Sequence, residues 1–190
     1  KALREREVLM QKAPFLIHPL EFILPYERQL RPAWMLQCGM WLYDALDRKR
    51  TLPSSRRINL TSSSYGLALQ EHYKTGFSYY DCSTDDARLV VLNARSAKQH
   101  GADILLHTAC HSARRTENGW VVDLLDQKND TAFQIVAKTL VNASGPWVGH
   151  VARDIIVGET QAKATLVQGS HFIIPRCYEG EHAYIFQTTD

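Results

Sequence analysis

The sequence predicts an α/β chain carrying an attached antiparallel sheet. Three features point that way. "STDDARLVVLNARSAKQHGA" has capping residues, acidic first-turn residues and helical spacing. The stretch after it reads as a three-stranded meander turning at Asn118-Gly119. From Thr165 onward two strand-like runs, "TLVQGSHFIIPR" and "AYIFQTTD", flank the irregular "CYEGEHA". Helix, strand, meander, strand and then a new antiparallel set is the order of an α/β protein with a second sheet.

Taken in order, residues 1–12 form a charged helix that Pro14 ends, because proline cannot continue the hydrogen-bond ladder. Phe15 to Tyr26 is apolar but punctuated by Pro19 and Pro25, which predicts extended or irregular backbone. Pro32 suits the first turn of a second helix reaching about Arg48. Residues 48–64 are basic, serine-rich and prolyl, an exposed connection whose charge reads as a solvated face. In the third helix Ser83 or Thr84 serves as cap, Asp85 and Asp86 complement the dipole, and Gly101 supplies a left-handed exit. Strands are expected at 103–110, on both sides of Asn118-Gly119, at 131–138 and at 139–142.

With 190 residues, 45% of them hydrophobic and 22% charged, the chain has the composition of a globular protein. Its charge of +2 offers no basic stripe for nucleic acid. Cysteines 38, 82, 110 and 177 have neither zinc-site nor disulfide-framework spacing, so reduced thiols and no metal site are expected. The longest apolar stretch, Pro32 to Leu46, is shorter than the ~20 residues of a bilayer span. Two readings of that segment stand: a helix buried in a larger fold, favoured by the scarcity of flanking basic residues, and a face dipping into lipid. The chain starts at Lys1 and stops within "AYIFQTTD", as a piece of a longer protein would. Asn59-Leu60-Thr61 and Asn142-Ala143-Ser144 match the glycosylation pattern by chance, with no signal peptide in view.

The chemically telling stretch is "AKTLVNASGPWVGHVARD". An apolar run reaches Asn142 and then spends Ala143, Ser144 and Gly145 on almost no side chain before Pro146 and Trp147. Ligands of α/β sheets gather at strand carboxyl ends, and small residues there let a ligand approach the backbone closely. A tight strand-to-helix turn without a ligand would show the same residues.

Four segments in order, "LREREVLMQKAPFLIHPLEFILP", "YYDCSTDDARLVVLNA", "TLVNASGPWVGHVA" and "LVQGSHFIIPR", make the chain similar to the FAD-dependent glycerol-3-phosphate dehydrogenases of the aerobic respiratory type. The resemblance covers essentially the whole sequence. It implies a two-domain flavoprotein in which residues 1–64 are a helical and irregular insert, 65–158 part of the FAD-binding domain and 159–190 the start of a substrate-side antiparallel sheet. It places Ala143, Ser144, Gly145 and Trp147 beside FAD, and Ala109 and Cys110 near its adenine end through their backbone. His171 in "GSH" would accept the substrate's hydroxyl proton, the alternative being a buried histidine satisfied by the backbone. Gln168 stands where the family often has lysine, which puts a phosphate contact there in doubt. The Asp85–Arg88 stretch is equally characteristic, but capping and an ion pair explain it.

The implied reaction oxidises glycerol 3-phosphate to dihydroxyacetone phosphate and passes electrons through FAD to a membrane quinone. The implied location is cytoplasmic and peripheral, at the inner face of the cytoplasmic membrane, and a homodimer is compatible with it. No Gly-x-Gly-x-x-Gly turn occurs in these residues, so the chain alone is expected to bind FAD weakly and not to turn over. A related flavin oxidase acting on glycerol phosphate or amino acids, and a non-catalytic interaction domain on the same scaffold, remain open alternatives.

Overall fold

A computed structural model describes residues 2–27, 31–46, 51–157 and 165–187. The element order is α1 (Ala2–Lys12), β1 (Ile17–Pro25), α2 (Ala33–Leu46), β2 (Arg56–Asn59), β3 (Thr75–Thr84), α3 (Asp86–Gln99), β4 (Thr108–Thr116), β5 (Gly119–Asp126), β6 (Thr131–Ala137), β7 (Ile156–Val157) and β8 (Ala183–Tyr184). The chain divides into two compact units, Lys1–Ser96 with Ile173–Asp190, and Ala97–Phe172. Mixed helix and sheet is the class the sequence predicts.

The first unit is built on a sheet of order β2-β3-β1-β8. β1 pairs antiparallel with β3 from Ile17↔Thr84 to Pro25↔Gly76. The prolines that suggested irregular backbone are accommodated because β8 flanks β1 only at Phe22 and Ile23. At Pro19 and Pro25 the strand has one neighbour, so a missing N–H can fall on the open side.

Side-chain alternation gives the two faces of this sheet different jobs. Phe22, Phe77, Tyr79 and Asp81 share one face, and the helices pack there. Phe22 stacks on Tyr79 at 5.4 Å, Tyr43 of α2 meets Tyr79 edge-on at 6.4 Å, and Arg6 of α1 reaches Tyr43 Oη (2.8 Å) and Asp81 Oδ1 (3.4 Å). Glu7 is buried and accepts a 2.8 Å hydrogen bond from Thr51 Oγ1. The opposite face carries Glu21, Ile23, Ser78, Tyr80 and Arg56. Ile23, Phe77 and Ser78 are the largest fully buried side chains among the described residues.

α2 presents an outward stripe: Trp34, Trp41, Leu42 and Leu46 are all more than 60% exposed, Trp41 at 77%. The described residues leave this stripe uncovered. Among the described residues no helix is long and apolar enough to cross a membrane.

The second unit holds the sheet β6-β5-β4-β7. Its three-stranded meander is as predicted, but the turn is shifted by one residue: Thr116 pairs with Gly119, so Glu117 and Asn118 join β4 to β5 and Gly119 opens β5. Gly119 has φ +139°, and a Cβ on it would lie 2.3 Å from the Ala137 carbonyl oxygen, so glycine is required there. Ala113, Val122, Leu124 and Ile156 form the core, with Cys110, Trp120, Leu140 and Val151 packed against it.

Several local expectations change. α3 is capped by Asp85, whose Oδ1 accepts the Arg88 amide at 2.9 Å, and not by Ser83 or Thr84. Gly101 does take the left-handed exit at φ +90°. Residues 103–107, 139–142 and 165–176 form no strand. Each is apolar enough for one, but a strand needs a ladder partner and no described residue supplies it. Ile173 and Val167 are almost fully exposed as a result. All four cysteines are free.

Candidate functional site

The turn after Asn142 is organised by that one side chain. Asn142 Oδ1 accepts Ser144 Oγ at 2.7 Å and the Ser144 amide at 3.3 Å, while its Nδ2 donates to the Val148 carbonyl at 3.0 Å. The chain then runs through a 3₁₀ turn (Gly145–Trp147), a single α turn (Val148–His150) and a π turn (Val151–Ile155). Gly145 has φ +57°, which disfavours any side chain, and a Cβ built on it meets no atom within 4 Å. Ala143 and Gly145 are exposed and Trp147 is 66% exposed. Packing within the unit therefore does not explain the small residues. The turn presents bare backbone to open space, which suits a ligand lying on it.

Ala109 and Cys110 sit half-buried on β4, next to a bulge that sets His111 out of register between Cys110 and Ser112. Burial pushes the Cys110 thiol above its ordinary value, with the Asp123 carboxylate adding to it, so the group stays a neutral packing side chain. Cys110 and Leu140 rest on the same core cluster, which ties the β4 residues and the Asn142 turn to one unit. His171 lies apart from them in sequence, exposed, in a segment that is neither helix nor strand. Among the described residues nothing buries it. Nothing among the described residues holds it in place.

The first unit contains a polar group that sequence reasoning missed. Glu21, with its side chain 14% exposed, accepts hydrogen bonds from Ser78 Oγ, from Tyr65 Oη at 2.8 Å and from Arg56 at 3.3 Å. Burial raises its carboxyl pKa, but the donors Ser78, Tyr65 and Arg56 outweigh that and hold it below the ordinary value. Beside it, His182 is enclosed by the rings of Tyr65, Tyr178 and Tyr184 at 4.8–5.0 Å. Its Nε2 is buried without a hydrogen-bond partner, and burial lowers its pKa, partly offset by Glu21. Tyr184 Oη donates to the Tyr65 carbonyl at 2.6 Å, and Tyr178 Oη to the His182 carbonyl at 2.6 Å. The one sequence signal was a glutamate inside the apolar run "PLEFILP".

Comparison with known proteins fits this geometry. The chain is 47% identical over all 190 residues to a glycerol-3-phosphate dehydrogenase of Pseudomonas aeruginosa, and it spans 36% of that protein. It is 40% identical over 190 residues to a D-erythritol 1-phosphate dehydrogenase of Brucella abortus, spanning 38% of it. A crystal structure of the glycerol-3-phosphate dehydrogenase from Bacillus halodurans complexed with FAD superposes with a TM-score of 0.58 at 25% identity, covering 80% of this chain and 26% of that one. The chain thus spans a little over a third of the curated relatives it matches. The profile of the family described as FAD dependent oxidoreductase matches residues 1–190, and the chain belongs to that family.

Proposed function

We propose that the protein containing this chain is an FAD-dependent dehydrogenase that oxidises sn-glycerol 3-phosphate to dihydroxyacetone phosphate. The observation that carries the reading is the 47% identity to a glycerol-3-phosphate dehydrogenase over all 190 residues of the chain. The open backbone at Ala143, Ser144 and Gly145 supports the cofactor side of it, with Trp147, Ala109 and Cys110 as further contacts.

When bound, the flavin supplies the two-electron acceptor for hydride from the carbinol carbon. The chain's own residues do the rest. The Asn142 clamp holds the turn in a shape that costs no reorganisation on binding. The imidazole of His171, which is exposed among the described residues, takes the hydroxyl proton as the C–H bond breaks, leaving a carbonyl. Electrons then pass to a membrane quinone, with the protein held peripherally at the inner face of the cytoplasmic membrane and able to form a homodimer.

The Brucella relative supports a second substrate reading, a longer phosphorylated polyol such as D-erythritol 1-phosphate. The full-length protein should purify yellow, and steady-state assays with a dye acceptor should give a higher kcat/KM for one of the two substrates. His171→Ala should lower kcat by roughly 10²–10⁴-fold with the flavin retained. Gly145→Val should lower flavin occupancy. A colourless protein, or one inert toward both phosphates, refutes the reading.

A further inference from the structure

At the open edge of the first unit's sheet, β2 and the start of β3 form a cleft of about 520 Å³ lined by Arg57, Ile58, Asn59, Thr61, Lys74 and Thr75. That volume lies within the range of small-molecule sites, ~300–1,000 Å³. The charged groups lining it are both cations. Neither the Arg57 guanidinium nor the Lys74 ammonium has a hydrogen-bond or ion-pair partner among the described residues. Their surroundings differ from those of neighbouring charges. Arg56, the next residue, pairs with Glu21, and Glu27, which follows the Tyr26 amide bound to the Thr75 carbonyl, is engaged by His72 at 3.6 Å.

The remaining polar groups are arranged to donate. Asn59 Oδ1 is occupied by the Thr61 amide (3.0 Å) and by Thr61 Oγ1 (2.7 Å), so what Asn59 has left to offer is its NH₂ group. Asn59 stands opposite Thr75 in the register, and Arg57 is two residues along the same strand. A planar guanidinium that forks onto two oxygens, an ammonium point charge, the Asn59 NH₂ and the Thr75 hydroxyl match the acceptor-only surface of a phosphate. Among the described residues no carboxylate lines the cleft to compete.

We propose that this cleft binds a phosphate group, as a soluble phosphate or as the headgroup of an anionic lipid. The inference stands apart from the dehydrogenase reading, because none of its residues belongs to the groups assigned to catalysis or to FAD.

The test uses the full-length, flavin-loaded protein. Inorganic phosphate is titrated calorimetrically at low ionic strength, and flotation is measured on vesicles of phosphatidylcholine alone or with added phosphatidic acid. In the Arg57→Gln/Lys74→Gln double variant, one of the two should weaken by roughly tenfold or more. The Arg57→Lys/Lys74→Arg exchange, which keeps both charges, should stay closer to wild type, and an unchanged flavin content shows that each variant is folded. Loss of phosphate binding identifies a soluble ligand, and loss of flotation on phosphatidic acid vesicles alone identifies the headgroup. A Gln/Gln variant that is folded and indistinguishable from wild type in both assays overturns the proposal, including the case in which phosphate binds only where the substrate does.

Discussion

Replacing Ser78 by alanine removes one donor from a carboxylate that lies almost entirely out of water. Ser78 is fully buried and the Glu21 side chain is 14% exposed, so solvent cannot replace the lost hydrogen bond. A hydrogen bond to a charged group contributes about 1.5–3 kcal/mol. Glu21 keeps Tyr65 at 2.8 Å and Arg56 at 3.3 Å, which places the loss in the lower half of that range, about 1.5–2 kcal/mol. Hydrogen exchange of the β1 and β3 amides in the full-length protein reads this locally. At about 1.36 kcal/mol per tenfold, protection of residues 17–25 and 75–84 should fall roughly 10- to 30-fold. Adding Glu21→Gln closes a double-mutant cycle whose coupling should be about 1–2 kcal/mol. Protection that falls less than about threefold, or a coupling within ~0.3 kcal/mol of zero, would refute the idea that a charge-assisted hydrogen bond pins β1 to β3.

Two further outcomes follow from the same unit. Stability should decline in two steps on acidification. The unfolded chain takes up a proton at His182 near its ordinary value of 6.5 while the folded one resists, so stability drops as pH falls below that value. Glu21, whose folded carboxyl titrates below 4.5, contributes stability above that pH and loses it as pH falls through the folded value. His182→Gln should flatten the first step and Glu21→Gln the second in urea-unfolding curves taken across pH; a wild type indifferent to pH between 7 and 5 contradicts the first assignment. Gly66→Ala and Gly145→Ala should behave differently. The first would place a Cβ 1.8 Å from the backbone oxygen of buried Leu60 and should cost about 2–3 kcal/mol or more, read as a lower Tm. The second meets open space and bears only its left-handed φ, about 1–2 kcal/mol.

The parts of the fold readable in the sequence were those fixed by near neighbours. Pro14 and Pro32 bracket helices as their missing N–H groups require. Gly101 and Gly119 stand at positive φ where helix exit and hairpin turn predicted it. The Asn142–Trp147 turn was visible as a run of side-chain loss, and its residues hold one another. Candidate residues were harder to place. Ala109 and Cys110 come to the same unit as that turn, whereas nothing in the described residues fixes His171.

By itself the sequence determined the helices, the meander, the bare turn and the family, because each depends on residues a few positions apart or on an ordered set of segments. Only the tertiary structure decided that β1 is a nine-residue strand despite two prolines, and that Glu21 gathers Arg56, Tyr65 and Ser78. The physical reason is distance along the chain. A strand exists through its ladder partners, and a buried carboxylate through its donors; here the Glu21 donors lie 35 to 57 residues away, and the β1–β3 partners run from Pro25↔Gly76 to Ile17↔Thr84, 51 to 67 residues apart. Local composition cannot encode such pairings until the sheet has closed.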